Sequence, residues 1–91
     1  MNKFISVIIP VYNGSTFLRQ AAHSALSQPE VAEVVLIDDG STDGTYRCME
    51  ELAAENAAIR INRLPYNKGA AAARNRGIQL AKFPWLSFLD A

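Results

Sequence analysis

Four groups of polar or conformationally special residues interrupt an otherwise apolar chain. They are Pro10-Val11-Tyr12-Asn13, Asp38-Asp39-Gly40-Ser41-Thr42-Asp43, Asn67-Lys68-Gly69 with Arg74-Asn75, and Asp90. Tyr12 offers an aromatic face on which a nucleobase can stack, a contact worth roughly 1–3 kcal/mol; the competing reading is a partly buried core aromatic. Asp38 and Asp39 set two carboxylates side by side. They repel unless a cation, a ligand or hydrogen-bond donors offset the charge, and a base or ribose supplies such donors. The competing reading is turn and capping chemistry, which suits Asp, Gly and Ser; Ser41 and Asp43 are read mainly that way. Lys68-Gly69 precedes a helical run, so backbone N–H groups and the helix dipole there would suit a phosphate. Arg74 adds a fork for oxyanions. Pro10 turns the chain outward, Arg76 reads as a solvated charge, and His23 reads as structural.

Short apolar runs must carry these groups. Strands are expected over 4–11, 33–38, 58–64 and 85–89, the third more exposed than the others. Helices lie between them. The first is capped by Ser15 or Thr16, carries a stripe of Leu18, Ala21, Ala22, Ala25 and Leu26, and ends at Gln28-Pro29. The second is capped by Ser41 or Thr42, with Asp43 in its first turn and Tyr46, Met49, Leu52 and Ala53 buried. The third covers about 69–81, with Ala70, Ala73, Gly77 and Leu80 on one side. Gly77 costs about 1 kcal/mol there relative to alanine, which a close approach of helix to sheet would explain. Alternation of this kind gives an α/β fold: a Rossmann-like three-layer α/β/α sandwich on a four-stranded parallel sheet with right-handed crossovers, order 3-2-1-4. All four groups then open on one edge, where ligands bind at the point of strand-order reversal.

Composition narrows the function classes. The 91 residues are 49% hydrophobic and 20% charged, enough apolar surface to fold. Nine basic and nine acidic residues cancel, which argues against a nucleic-acid binder. Cys48 is the single cysteine, so neither an intrachain disulfide nor a thiolate metal site is expected, and a reducing compartment is the default. The apolar run at the N-terminus is too short for a signal peptide or a membrane span. The expected location is cytoplasmic, with the inner face of the membrane as the alternative for a longer parent protein.

The runs Val7-Ile8-Ile9-Pro10-Val11-Tyr12-Asn13, Ile37-Asp38-Asp39-Gly40-Ser41-Thr42-Asp43, Asn67-Lys68-Gly69 with Ala73-Arg74-Asn75-Arg76-Gly77, and Phe88-Leu89-Asp90-Ala91 resemble family-two inverting glycosyltransferases across nearly the whole chain. The resemblance implies an A-type, nucleotide-diphospho-sugar transferase fold that binds a nucleoside diphosphate sugar, usually a UDP-sugar. It implies that Pro10, Val11 and Tyr12 line the base pocket. Asp39 would hydrogen-bond the base, with Asp38 orienting the loop. Lys68 and Gly69 would lie near the nucleotide, and Arg74 would face base or phosphate. Asp90 would be the first carboxylate of an Asp-x-Asp motif that contacts ribose and holds Mg2+ or Mn2+ on the diphosphate. The chain, residues 1–91, is then expected to be a nucleotide-sugar-binding part cut one residue into that motif. No general base would be present, turnover would be lacking, and the exposed edge of strand 4 would favour self-association.

Other classes fit less well. A phosphoacceptor receiver domain would place its aspartate pair after the first strand, not the second. A dinucleotide-binding oxidoreductase would show Gly-x-Gly-x-x-Gly after strand 1, where this chain has Pro10-Val11-Tyr12-Asn13-Gly14. A vestigial fragment that keeps the fold and binds nothing remains the third alternative.

Overall fold

A computed structural model describes residues 2–90. The order is β1 (Ile5–Val11), α1 (Ser15–Leu26), β2 (Val31–Asp38), α2 (Thr45–Glu55), β3 (Ile59–Arg63), α3 (Ala70–Leu80) and β4 (Trp85–Phe88). All strand pairs are parallel, and the sheet order is β3-β2-β1-β4, as the alternation requires. The direction of travel reverses between β3 and β4. With one hand for every crossover, that reversal moves α3 to the opposite face.

Two apolar cores follow from this. On one face Val7, Ile9, Val11, Val34 and Leu36 pack under Leu18, Ala22 and Ala25 of α1 and Met49 and Leu52 of α2. On the other, Ile8, Val35 and Ile37 pack under Ala73 of α3. Helix α3 sits close to the sheet because of Gly77: a Cβ there would lie 2.3 Å from Cγ2 of Ile8. The entropic cost of that glycine is the condition for the approach.

The helix starts differ from the capping expectation. Gly14 and Gly44 hold the N-cap positions of α1 and α2, and neither helix has a side-chain cap hydrogen bond. Helix α2 begins at Thr45, so Asp43 lies ahead of it and binds the Thr45 N–H at 2.8 Å. Bonds from Thr45 hold the Asp43 carboxyl below its usual range. Ser41 and Thr42 are spent on a neighbouring loop instead, as shown below.

A polar knot closes the far end of the sheet. Glu33 is 3% exposed in the midst of β2. Its carboxylate accepts from Ser6 Oγ at 2.7 Å, the Lys82 N–H at 2.7 Å and Arg60 Nη1 at 3.0 Å. Burial alone would raise its pKa, but these bonds together outweigh burial and lower it. Ser6 Oγ in turn accepts the Phe83 N–H at 3.2 Å, so the knot ties down the turn that feeds β4.

Strand β4 is exposed along its whole length. No helix of the described residues is long and apolar enough to cross a membrane.

Candidate functional site

The strand ends open on one edge, and short polar bonds strap their loops to one another. The β1–α1 loop turns at Asn13, whose φ of 48° suits asparagine's tolerance of the left-handed region. The Asn13 N–H donates to Ser41 Oγ at 2.8 Å, the Thr42 N–H donates to Asn13 Oδ1 at 2.9 Å, and the Gly14 N–H donates to Thr45 Oγ1 at 3.0 Å. These bonds join the first loop to the second. The Asn13 Nδ2–H also donates to Thr42 Oγ1 at 3.4 Å, so the hydroxyls of Ser41 and Thr42 are both taken by Asn13 and neither caps a helix.

Asp39 joins the second loop to the third. Its Oδ1 accepts the Lys68 N–H at 2.7 Å and its Oδ2 accepts the Gly69 N–H at 3.0 Å. Gly40 lets the two loops touch backbone to backbone. It has φ of 72°, and a Cβ there would lie 2.3 Å from the Tyr66 carbonyl carbon. Gly69 has φ of 98° and is the N-cap of α3.

The aspartate pair is therefore compensated from within the chain. Asp38 is fully buried; its Oδ1 accepts the Ser41 N–H at 2.9 Å, and its Oδ2 lies 3.4 Å from Nε of Arg63. That Oδ2 has no hydrogen bond and meets Arg63 as an ion pair only. The guanidinium of Arg63 also sits 4.9 Å over the Tyr46 ring. Just ahead of the helix start expected to suit a phosphate, the Lys68 and Gly69 amides are both taken by Asp39. Its carboxylate already fills the anion position at the start of α3.

A cleft of about 470 Å³ results, lined by Pro10, Val11, Tyr12, Asp39, Asn67, Gly69, Ala70, Arg74 and Asp90. That size lies in the usual range for small-molecule sites. Seven of the nine site residues expected from the sequence line it. Asp38 stands behind it, and Lys68 turns its Nζ over the Tyr66 ring at 5.0 Å. Tyr12 is 49% exposed, so it is an available stacking face and not a core aromatic. A second cleft of about 660 Å³ shares Tyr12 and Asn67 and is completed by Ser41, Thr42, Arg63 and Tyr66. Asn67 was noted only as part of the third polar group and Ala70 only as a face residue of the third helix; their place just before and just inside the α3 start was the available signal for a site role. Arg76 lies outside the cleft, bonded to Asn62 at 3.2 Å and exposed.

Asp90 faces Arg74 across the cleft, Oδ1 to Nη2 at 3.5 Å, with its side chain 81% exposed. Ala91 of the expected Asp-x-Asp motif lies outside the described residues. Among the described residues no group of three or more His, Cys, Asp or Glu could hold a metal ion. Asp90 offers one exposed carboxylate, which is not a metal site by itself. Mg2+ is commonly held by one or two carboxylates and otherwise by phosphate oxygens and water, and a cationic group already sits against this carboxylate.

Known proteins resemble the chain throughout. The family model described as Glycosyl transferase family 2 matches residues 6–91. An uncharacterized glycosyltransferase of Haemophilus influenzae is 39% identical over 88 residues, which are 96% of this chain and 35% of that protein. The mannosyltransferase PcManGT from Pyrobaculum calidifontis, solved with GDP-Man and Mn2+, superposes with a TM-score of 0.88 at 24% identity, covering 99% of this chain and 28% of its own. TarS 1-349 of S. aureus, solved with UDP-GlcNAc, superposes with a TM-score of 0.83 at 28% identity, covering 96% and 26%. The fold is thus that of the A-type nucleotide-sugar transferases, and the chain spans about a third or less of the length of these relatives.

Proposed function

The chain belongs to glycosyl transferase family 2, and from that premise we propose that its strand-end cleft binds the nucleoside diphosphate of an activated sugar, a UDP-sugar in the first instance. The whole protein would transfer the sugar to an acceptor hydroxyl with inversion. The supporting observation is the strapping of three loops into one wall. It holds Tyr12, Asp39 and Gly69 in place before any ligand arrives, which lowers the ordering cost of binding.

The residues divide the donor between them. Tyr12 stacks on the base, with Pro10 and Val11 beside it. Each carboxylate oxygen has a second lone pair, so Asp39 can accept a base N–H while it keeps the Lys68 and Gly69 amides. Asp38 holds the loop through the Ser41 N–H. Arg74 meets the diphosphate. Asp90 meets the ribose or serves as the protein ligand of Mg2+ or Mn2+, whose chemistry is to neutralise charge on the departing diphosphate. The carboxylates lining the cleft are Asp39 and Asp90; the first is tied to amides and the second is assigned to the cation. Neither is free to take a proton from an acceptor, so binding without turnover is expected of these 91 residues.

TarS supports the choice of uridine, since it is 28% identical and was solved with UDP-GlcNAc. Calorimetry of the chain with UDP, GDP and dTDP, each with and without Mn2+, tests the proposal. UDP should bind, more tightly with Mn2+. A folded sample that gives no heat with any of them would refute it and favour the vestigial reading.

A further inference from the structure

Ser41 is a joint between the first two loops. Its N–H donates to Asp38 Oδ1 at 2.9 Å, its carbonyl accepts from Arg63 Nη2 at 3.4 Å, and its Oγ accepts the Asn13 N–H at 2.8 Å. Asn13 follows Tyr12, the stacking face of the cleft, and Asp38 precedes Asp39. Arg63 stands directly across from Asp38 in the β2–β3 register. Its Nε lies 3.4 Å from Asp38 Oδ2, an oxygen of a fully buried side chain that has no hydrogen bond. Among the described residues Arg63 is the only cation paired with that carboxylate. The Tyr46 ring of α2 lies 4.9 Å from the guanidinium and steadies it. Arg63 lines the second cleft and not the donor cleft, so any effect on the donor passes through its neighbours.

We propose that Arg63 is a positioning residue for nucleotide binding, which acts through Asp38 and Ser41 to hold Tyr12 and Asp39 ready for the base. The inference rests on the donor-binding reading. Without Arg63 the buried Asp38 carboxylate keeps one amide donor and no cation, and a buried charge that has lost its partner is strongly disfavoured. Its nearest escape is to turn toward water. That turn releases the Ser41 N–H, and the anchor of Asn13 goes with Ser41. The two cores lie on the faces of the sheet behind these loops, so the fold persists while the loops lose their set. A nucleotide then meets a chain whose loops are ready only part of the time, and its affinity falls by that fraction.

Arg63 is 52% exposed, so water screens its pair with Asp38. Loss of that screened pair and of one hydrogen bond corresponds to about threefold to tenfold in the ready fraction. The test uses Arg63→Met, which keeps the stem and removes the charge. In calorimetry with Mn2+ present, UDP should bind this variant about threefold to tenfold more weakly per folded chain. Hydrogen exchange should quicken at the Ser41, Asn13 and Lys68 amides, whose acceptors belong to the strapped loops. It should quicken less at the Lys82 amide, which is tied to Glu33 at the far end of the sheet. Arg63→Lys restores a point charge without the fork and should recover part of the UDP affinity. Arg47→Gln removes a charge from an exposed position of α2 and should bind UDP as the wild type does. Unchanged UDP affinity in folded Arg63→Met would overturn the proposal. So would an equal loss in Arg47→Gln, or exchange that quickens at Lys82 as much as at Ser41, which would make Arg63 a general stabiliser. Should Arg63→Met fail to fold, Arg63→Lys carries the test: Ser41 exchange faster than in the wild type supports the role, and unchanged exchange overturns it. A wild-type chain that gives no heat with UDP fails the donor-binding reading instead, and the loop exchange rates then decide alone whether Arg63 sets the loops.

Discussion

Glu33 gives the sharpest stability prediction, because three donors converge on one buried carboxylate. Glu33→Ala leaves Ser6 Oγ, the Lys82 N–H and Arg60 Nη1 without that acceptor. A donor left unpaired in a buried setting costs about 1–3 kcal/mol. Arg60 is partly exposed and recovers water, so about 3 kcal/mol in total is expected. In a domain of this size 1 kcal/mol shifts Tm by about 4–8 °C, which puts the loss at roughly 12–24 °C. Glu33→Gln keeps an oxygen for Ser6 and Lys82 but turns an NH2 toward Arg60, and should lose about 1–2 kcal/mol. The pH dependence has a definite sign. The folded pKa of Glu33 is lowered, so its contribution is complete above the unfolded value of about 4.3 and is lost as pH falls through the folded one. The gap between wild type and Glu33→Ala in circular-dichroism melts should be full at pH 7 and narrow on acidification. Glu33 also lies five residues of strand, about 17 Å, from the site edge, so nucleotide affinity of the folded fraction should not change. A Tm loss under about 5 °C at pH 7, or a gap of unchanged size in acid, would refute the reasoning.

Other outcomes follow from the same geometry. Gly77→Ala gains about 1 kcal/mol of helix propensity but drives a methyl into the stiff, β-branched Ile8 at 2.3 Å; a net loss of about 1–2 kcal/mol is expected in denaturant melts, and a more stable variant would contradict the close packing of α3. Gly40→Ala meets backbone of Tyr66 and Asn67 and strains φ. It should cost at least about 2 kcal/mol and weaken UDP by more than the loss of folded fraction explains; calorimetry on the folded variant with unchanged affinity would count against the loop contact. Trp85, Leu86, Phe88 and Leu89 are all exposed on or beside β4, Trp85 by 65%. The chain should therefore self-associate through that strand, and light scattering that shows only monomer at high concentration would dispose of the idea.

The sequence revealed the scaffold better than the wiring. Continuous apolar runs such as Val7-Ile8-Ile9 and Val34-Val35-Leu36-Ile37 announce buried parallel strands, because only a sheet covered on both faces buries every side chain in turn. Gly77 was legible too, since a glycine in a helix interior needs a steric reason. The edge on which Tyr12, Asp39, Arg74 and Asp90 converge followed from strand order alone. What stayed hidden depends on partners far along the chain. Asp39 meets Lys68 and Gly69, 29 and 30 positions away, and nothing local distinguishes a carboxylate that awaits a ligand from one that holds a loop. The caps were misplaced for a related reason: Ser41 and Thr42 have the side chains of N-caps, but Asn13 of the first loop bonds both hydroxyls. Glu33 stood at the start of the strand expected over 33–38 and carried no assigned role; its three donors lie on separate segments of the chain.

The central claim is that the strand-end cleft of this family-two chain is a nucleotide site. Titration of the nitrogen-15-labelled chain with UDP in the presence of Mg2+ tests it residue by residue. The account predicts saturable shifts at Tyr12, Asp39, Gly69, Arg74 and Asp90, with the Glu33–Ser6–Lys82 knot at the other end of the sheet unmoved. A folded chain whose cleft resonances stay still, or whose shifts gather away from that edge, would contradict it.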